Sequence, residues 1–295
     1  MTSELHDRIQ RKKLLLGVGV ESLYPSNVEL AGMVGFDLAW ADLEHGTGSP
    51  HQAEMFCIAA KAGGMLPILR IPSAERSFIM LGLEAGARLI SIPMIESPET
   101  ARKIVELGKY KPLGNRGFAM STRGLCYGIG DSAVNTAWAN RETHLFPQIE
   151  TMAGLRRCKE IVAVEGISGG VIGPADLSIS MGKPLQYDHP AVIDAVCGAV
   201  SEIRALGKIA ISVTGHPVLA RAAINAGAQI CVCATERGSL RTHWTQTVRD
   251  MSQLHRGEGP PERDLDAPTA RAQAALRAAF NGAPPLGDSH EGELK

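Results

Sequence analysis

Eight short apolar segments, each separated from the next by a helical pattern, constrain the fold of this chain most strongly. The segments are almost continuously apolar, which is typical of parallel strands that are buried on both faces. The predicted strands cover residues 14–20, 36–42, 65–71, 88–94, 144–150, 167–173, 208–214 and 228–234. Eight such units in succession predict an α/β fold, a (β/α)8 TIM barrel. A doubly wound sheet is the alternative, but no G-x-G-x-x-G follows the first strand, which disfavours dinucleotide binding.

The length of the chain agrees with a single barrel domain. It has 295 residues, of which 44% are hydrophobic, so a large core can form. We predict one barrel domain over residues 1–255, and a Pro-, Gly- and charge-rich extension over 256–295 with one short helix at 268–280. Residues 110–143 form a long insertion between the fourth and fifth strands. Insertions of this length are usually functional loops or lids.

Charge and cysteine usage argue against several classes of protein. The net charge is −1, so there is no basic field for nucleic acid or for an anionic membrane. No apolar run approaches the roughly 18 residues of a membrane span, and the N-terminus lacks a signal-peptide cleavage site. The six cysteines show neither a metal-binding spacing nor a disulfide framework. We therefore expect a cytoplasmic protein that binds neither nucleic acid nor membranes.

Polar side chains gather where four of the predicted strands end. In an α/β barrel the catalytic groups lie at the carboxyl ends of the strands. These ends carry Asp42, Glu44 and His45, Arg70, Gln148 and Glu150, and Gly173, Pro174, Ala175 and Asp176. Polar groups in a barrel interior are unfavourable unless they have partners, so the grouping predicts a ligand. By contrast, we place Trp40, Met65 and Met94 in the core.

A divalent cation is the simplest ligand for this set. Glu150 and Asp176 are hard oxygen ligands on neighbouring strands, the type that Mg²⁺ or Mn²⁺ prefers. Two carboxylates leave room on an octahedral ion for water and for a bidentate 2-oxo acid such as pyruvate. Arg70 would then hold the carbonyl oxygen and stabilise an enolate, while His45, or a metal-bound water that it polarises, moves a proton. The free N–H groups of the turn at 173–175 suit a substrate carboxylate.

Each of these residues also has a structural interpretation when it is considered alone. Glu150 can place its charge at the start of the following helix, Arg70 can pair with Glu44 or Glu84, and His45 can cap the loop after its strand. Because all of them fall at one rim of the barrel, the functional interpretation is favoured.

The same residues lie in motifs that resemble the HpcH/HpaI aldolase/citrate lyase family. The motifs are GFDLAWADLEHG, PILRIP, LEAGARLISIPMIESPETAR, PLGNRGF, PQIET and GVIGPADLSISMG, in this order between about residues 14 and 254. The family consists of metal-dependent class II pyruvate aldolases, such as 2,4-dihydroxyhept-2-ene-1,7-dioate aldolase of aromatic compound catabolism. The resemblance implies a TIM barrel of the phosphoenolpyruvate/pyruvate type.

The resemblance also implies roles for individual residues. Glu150 and Asp176 would hold an exchangeable Mg²⁺, Mn²⁺ or Co²⁺ ion with Gln148 beside them, Arg70 would bind the pyruvyl oxygen, and His45 would be the acid–base group. Members of the family are usually hexamers, so the resemblance implies a homo-oligomer, a trimer of dimers in which the eighth helix is swapped between barrels.

The chain departs from the family pattern at several positions. Glu84 stands where relatives carry an Asp that pairs with the acid–base histidine, so we expect Glu84 to orient His45. Asp42 and Glu44 are expected to contact substrate, and one of them to orient His45 or to hold a metal-bound water. Gly19 replaces a frequent tryptophan, and the insertion reads FAMSTRGLCYG, in which Arg123 is a candidate substrate-binding residue.

Three functions follow, in order of preference. The first is a lyase that reversibly cleaves a 4-hydroxy-2-oxo acid to pyruvate and an aldehyde. The second is a relative that uses oxaloacetate, either a decarboxylase or an enzyme like citrate synthase or an acyl-CoA lyase. A CoA substrate would need a basic groove, for which Arg116 and Arg123 are the candidates. The third is a catalytically silent barrel that acts as a binding protein.

Overall fold

The computed structural model describes residues 2–254 and shows a closed barrel of eight parallel strands, arranged in chain order. The strands are Leu15–Gly19 (β1), Leu38–Asp42 (β2), Leu66–Arg70 (β3), Leu89–Ile92 (β4), His144–Ile149 (β5), Gly169–Ile172 (β6), Ile209–Val213 (β7) and Ile230–Thr235 (β8). All eight predicted strands are confirmed, and the (β/α)8 barrel with them.

Helices follow the strands as the sequence pattern predicts. They are Glu4–Lys12 (α1), Pro25–Met33 (α2), Pro50–Ala62 (α3), Arg76–Glu84 (α4), Pro98–Gly108 (α5), Ser132–Glu142 (α6), Met152–Arg156 (α7), Cys158–Ala163 (α8), Pro174–Ser180 (α9), Pro190–Ala205 (α10), Pro217–Asn225 (α11) and Glu236–Leu254 (α12). The start of α5 shows the local cause. Ser97 Oγ accepts the Thr100 N–H at 3.1 Å, and Pro98 occupies the first turn, where its missing N–H is not needed.

Alternate residues of the strands point into the barrel and form one apolar cluster. Its members include Leu38, Trp40, Leu66, Ile68, Leu89, Phe146, Val171, Ile211 and Val232. Leu5 and Ile9 of α1 join this cluster, so α1 closes the amino-terminal end of the barrel. The opposite end, where the strands terminate, stays open for polar side chains.

A second and larger cluster fills the space between the strands and the surrounding helices. It includes Val28, Phe56, Ile79, Ile104, Ile161, Val196 and Leu219, each fully or almost fully buried. Because both faces of the sheet are covered, its strands are apolar on both faces, which explains the nearly continuous apolar runs in the sequence.

The insertion connects α5 to β5 and contains a 3-10 helix, Arg123–Gly128, followed by α6. Lys109 Nζ donates to the Asn140 carbonyl at 2.6 Å and to the Thr143 carbonyl, which ties both ends of the segment together. Since α5 returns the chain to the amino-terminal end of the barrel, the insertion lies at that end. Within one chain, therefore, it does not cover the carboxyl ends of the strands.

One compact unit ends at Ser239. It contains all eight strands, and α12 begins in it and continues to Leu254. The predicted extension at 256–295, with its helix at 268–280, lies outside the described residues. Among residues 2–254, no helix is both long and apolar enough to span a bilayer.

Candidate active site

Three polar residues lie side by side at the open end of the barrel. Asp42 of β2 is in register with Arg70 of β3, and Arg70 with Ser91 of β4. Each follows apolar residues that occupy the same inward face of its strand, such as Trp40 and Ile68. The period of two along a strand therefore delivers polar groups at the first inward position above the apolar interior.

Arg70 is fixed by two carboxylates. Its Nε donates to Asp42 Oδ1 at 3.0 Å and its Nη2 donates to Oδ2, a bidentate pair. Its Nη1 lies 3.2 Å from Glu44 Oε2, an ion-pair contact without hydrogen-bond geometry. A guanidinium has five N–H groups, and Asp42 uses two of them, so three remain. Both interpretations of Arg70 hold in part: it pairs with Glu44, and it also keeps free donors.

The Asp42–Arg70 pair sets the charge state of both groups. Burial raises the pKa of Asp42, but the hydrogen bonds and the charge of Arg70, together with the N–H groups of His45 and Glu44, hold this pKa below its usual value. Burial lowers the pKa of Arg70, but its bonds to Asp42 and the negative charges of Asp42, Glu44 and Glu150 together raise this pKa above normal. Near neutral pH the site therefore presents a carboxylate and a guanidinium cation.

Asp42 also shapes the turn that carries His45. Its Oδ1 accepts the N–H groups of Glu44 at 3.0 Å and His45 at 3.2 Å, which makes an Asx-type turn. The His45 ring is 65% exposed, and its Nε2 lies 3.8 Å from Glu44 Oε2. His45 is thus placed mainly by its backbone. Glu44 itself is partly buried, which raises its pKa although Arg70 opposes the shift.

Glu150 follows β5 and is almost completely buried, with 2% exposure. Its Oε2 accepts from Gln148 Nε2, and its Oε1 accepts the Met94 N–H at 2.8 Å. Ser91 Oγ donates to Gln148 Oε1 at 3.0 Å. Because the Ser91 hydroxyl donates to the amide oxygen of Gln148, the amide nitrogen of Gln148 faces Glu150. Burial raises the pKa of Glu150, and the charges of Glu44 and Asp176 raise it further.

Two residues of this arrangement were missed by the sequence analysis. Met94 was predicted to be core and this was wrong: it is 54% exposed, with a left-handed φ of 56° that directs its N–H at Glu150. Such a conformation is uncommon outside glycine and clusters at functional sites. Ser91 had a signal, since it is the polar residue within the apolar stretch LISI of β4. Trp40 and Met65 are buried as predicted.

Gly173 directly follows β6 and provides space for Glu150. A Cβ at Gly173 would lie 2.8 Å from Glu150 Oε2 and 3.1 Å from Gln148 Nε2. Only a residue without a side chain leaves these two groups where they are. The chain then enters α9, whose first turn carries the exposed Asp176.

A cavity of about 270 Å³ opens at this end of the barrel. The structure brings eight of the predicted residues to its wall: Asp42, His45, Arg70, Gln148, Gly173, Pro174, Ala175 and Asp176. Glu21 and Thr235, which the sequence analysis did not select, line it as well. A cavity of this size suits a small acid rather than a bulky ligand.

The carboxylates of Glu150 and Asp176 fit a divalent cation. Both are oxygen donors, they repel each other electrostatically, and one of them is buried. Within residues 2–254, no set of three or more His, Cys, Asp and Glu side chains surrounds one position. Two protein ligands agree with an ion whose other positions are taken by water and substrate, as is usual for Mg²⁺.

Two predicted site residues lie elsewhere in the chain. Glu84 ends α4, which returns to the amino-terminal end of the barrel, and its charge acts on Tyr110 and Arg116. Arg123 begins the 3-10 helix of the insertion and lies against Gly86. A helix that follows a strand runs back along it, so its last residue reaches the opposite end. Within one chain, Glu84 therefore does not orient His45, and Arg123 does not contact a substrate in the 270 Å³ cavity.

Several known proteins resemble this chain over most of its length. Residues 16–241 match the model of a family described as HpcH/HpaI aldolase/citrate lyase. A hydroxypyruvate/pyruvate aldolase from Roseobacter denitrificans is 33% identical over 212 residues, which cover 72% of this chain and 82% of that protein. A 2-keto-3-deoxy-L-rhamnonate aldolase from Salmonella gallinarum is 32% identical over 214 residues, with coverages of 72% and 79%. The crystal structure of an HpcH/HpaI aldolase from Desulfitobacterium hafniense superimposes with a TM-score of 0.79 and 25% identity, and covers 88% of this chain and 98% of that one.

Proposed function

The chain belongs to the HpcH/HpaI aldolase/citrate lyase family and is a carbon–carbon lyase, and on this basis we propose that it reversibly cleaves a 4-hydroxy-2-oxo acid to pyruvate and an aldehyde with a divalent cation. The observation that supports the proposal most is the buried Glu150, whose carboxylate interacts electrostatically with Asp176. Asp176 and Arg70 both line the cavity. The two aldolases that resemble the chain are both named after 2-oxo acids.

Glu150 and Asp176 would hold the cation, which supplies positive charge for the oxygens of a 2-oxo acid. Gln148, fixed by Ser91, keeps the Glu150 carboxylate in one orientation through its hydrogen bond. The Met94 N–H fixes the other oxygen. Both oxygens keep lone pairs for a further contact, since a carboxylate accepts about four hydrogen bonds.

Arg70 would stabilise the charge that develops on the 2-oxo oxygen. When the bond between C3 and C4 breaks, its electron pair moves toward that oxygen as an enolate forms. Asp42 holds the guanidinium by two parallel bonds, so the remaining donors are oriented before the reaction begins. Preorganised donors of this kind are most effective because they need no rearrangement in the transition state.

His45 would accept the proton of the 4-hydroxyl group, which must leave as the aldehyde forms. Its exposed ring stands at the wall of the cavity, on a turn that Asp42 fixes. An imidazole suits this step near neutral pH. We expect His45→Gln to lose most cleavage activity but to bind Mn²⁺ as the wild type does. Near wild-type cleavage by His45→Gln would remove this residue from the mechanism and direct attention to Glu44.

The metal is tested by chelation and by direct binding. We expect EDTA to abolish cleavage and Mn²⁺ or Mg²⁺ to restore it. Without the cation, the negative charges of Glu150 and Asp176 would oppose the enolate, and Arg70 would be left to stabilise it alone. Asp176→Asn keeps the size of the side chain but removes its charge, so Mn²⁺ binding followed by electron paramagnetic resonance should weaken. Full activity in EDTA would refute the metal-dependent mechanism.

The substrate class is tested with a panel of purified compounds. We expect cleavage of 4-hydroxy-2-oxo acids, and metal-dependent exchange of the methyl protons of pyruvate with deuterium, measured by proton NMR. Exchange without cleavage, accompanied by turnover of oxaloacetate, would favour the decarboxylase or citrate-type alternative. Absence of exchange would favour a silent barrel.

A further inference from the structure

A second cavity, of about 440 Å³, lies at the amino-terminal end of the barrel. Its wall combines the first residues of β3, Leu66 and Pro67, with Arg88 just before β4. The insertion closes another side with Arg123 and Trp138. It is larger than the candidate active site and is separated from it by the apolar interior of the barrel.

Three arginines converge beside this cavity, around the backbone of Gly124. Arg88 Nη1 donates to the Gly124 carbonyl at 3.2 Å, and its guanidinium carbon lies 4.1 Å from the centre of the Trp138 ring. Arg116 approaches the same residue from another side, since a Cβ on Gly124 would lie 2.9 Å from Arg116 Nη2. Arg123 is the preceding residue in the chain. We call Arg88, Arg116 and Arg123 the arginine cluster.

The positive charge of the arginine cluster is only partly offset within the described chain, because Glu84 attracts Arg116 and Glu142 attracts Arg88 without forming an ion pair. No ion pair among residues 2–254 includes any of the three. Arg116 is only 6% exposed, and its Nε, Nη1 and Nη2 have no hydrogen-bond partner there. The ring of Tyr110, 4.8 Å from the guanidinium carbon, provides a cation–π contact but no negative charge.

The positive charges of Arg116 and Arg123 make it less favourable for Arg88 to carry its own positive charge. Burial, the nearby Arg116 and, more weakly, Arg123 lower the pKa of Arg88 to about 10. A buried charge without a partner is strongly unfavourable, and proteins usually pair it with an opposite charge. An anion bound between Arg88 and Arg123 would provide that charge, and Arg116 would add to the attraction from behind Gly124.

The acidic residues in the wall of the cavity limit what can bind. Glu4 and Glu142 line it, and both already have partners. Glu4 pairs with Arg8 at 2.6 Å and with Lys61 at 3.2 Å, and Glu142 pairs with Arg141 at 2.9 Å. A second anionic group would face these carboxylates. The ligand should therefore carry its negative charge at one end only.

We propose that this cavity binds a small molecule with a single oxyanion head, a phosphate or a carboxylate, held between Arg88 and Arg123. Planar guanidinium groups match both kinds of oxyanion through parallel N–H bonds. The body of the ligand is uncharged and lies against Leu66, Pro67 and Trp138. The proposal does not depend on the lyase mechanism, because it concerns the opposite end of the barrel.

The test is isothermal titration calorimetry of metal-free protein, kept in EDTA, with inorganic phosphate and with acetate at matched ionic strength. We expect saturable binding of at least one of the two, and the tighter one identifies the head group. Arg88→Gln should weaken this binding by a factor of about ten or more, and Arg88→Lys by less, since lysine keeps the charge but loses the fork. Arg221→Gln, an exposed position on α11, removes the same charge elsewhere and should bind as the wild type does.

Three outcomes overturn the proposal: no saturable binding of either anion, wild-type affinity in Arg88→Gln, or equal weakening in Arg221→Gln. Thermal unfolding of each variant without ligand shows whether it is folded. If Arg88→Gln does not fold, Arg88→Lys and Arg123→Gln answer the same question. Quenching of Trp138 fluorescence by the bound anion, lost in Trp138→Phe, places the binding in this cavity, and unchanged quenching in Trp138→Phe contradicts it.

Discussion

Gly173→Ala adds a single methyl group at the point where β6 meets the candidate active site. The backbone of Gly173, with φ −98° and ψ 88°, does not require glycine. The effect of the substitution must therefore come from what the new Cβ touches. It would lie 2.8 Å from Glu150 Oε2, 3.1 Å from Gln148 Nε2 and 3.1 Å from Glu150 Cβ.

The size of the effect follows from these distances. Ordinary contacts of a Cβ begin at 3.4 Å, so Glu150 Oε2 must move by 3.4 − 2.8 = 0.6 Å. It cannot do so freely, because Gln148 and the Met94 N–H hold both oxygens. A misplacement of about 1 Å in a catalytic group costs on the order of 10²-fold in rate, so we expect a loss of about 10- to 100-fold in kcat/KM. Overpacking should also lower the free energy of unfolding by about 1–3 kcal/mol.

Gly170→Ala is the matched control, within the strand β6 that precedes Gly173. Its Cβ would meet Ile203 Cδ1 at 2.8 Å and Val162 Cγ2 at 3.3 Å, outside the barrel and away from the site. Both variants should lose stability in urea unfolding, but only Gly173→Ala should lose Mn²⁺ affinity and activity. Wild-type Mn²⁺ binding and kcat/KM in Gly173→Ala would refute the placement of the metal at Glu150.

Three further predictions test other parts of the chain. Arg70→Lys should lower kcat by on the order of 10²-fold, because an ammonium group cannot reproduce the fork that Asp42 fixes; steady-state kinetics that show a change in KM alone would contradict this role. Ser91→Ala leaves Gln148 Oε1 without its donor inside the barrel and should lower the free energy of unfolding by about 1–3 kcal/mol in urea titrations, whereas an unchanged midpoint would show that the bond contributes nothing. Burial lowers the pKa of His144 to about 3, so between that pH and its ordinary pKa of about 6.5 the unfolded chain binds more protons and stability falls as the pH is lowered. From pH 7 to pH 5 the wild type should lose about 2 kcal/mol more than His144→Gln, and equal losses would contradict the shift.

The strands and their order could be predicted from local patterns. A strand buried on both faces needs an apolar run of about five residues, and this requirement is met eight times in the chain. The polar residues at the carboxyl ends of these strands, such as Asp42, Arg70 and Gln148, could be selected in the same way. Parallel strands bring their carboxyl ends to one side whatever the details of packing, so their place at one rim followed from the fold class alone.

The partners of these residues could not be predicted, because they depend on register across the barrel. Asp42 and Arg70 pair because β2 and β3 align them, and Ser91 reaches Gln148 because β4 and β5 are neighbours. Met94 lies outside the core because its left-handed backbone turns the chain toward Glu150, a conformation without a signature in its residue type.

The sequence by itself determined the eight-stranded barrel, the end at which its polar groups collect, and the family motifs, since each of these depends on residues close together in the chain. Only the tertiary structure decided which carboxylate holds Arg70, and that Glu84 and Arg123 lie at the amino-terminal end of the barrel. It alone showed the arginine cluster around Gly124. The reason is that helix direction and strand register set distances between residues far apart in the chain, and neither is encoded in a local pattern of apolar and polar residues.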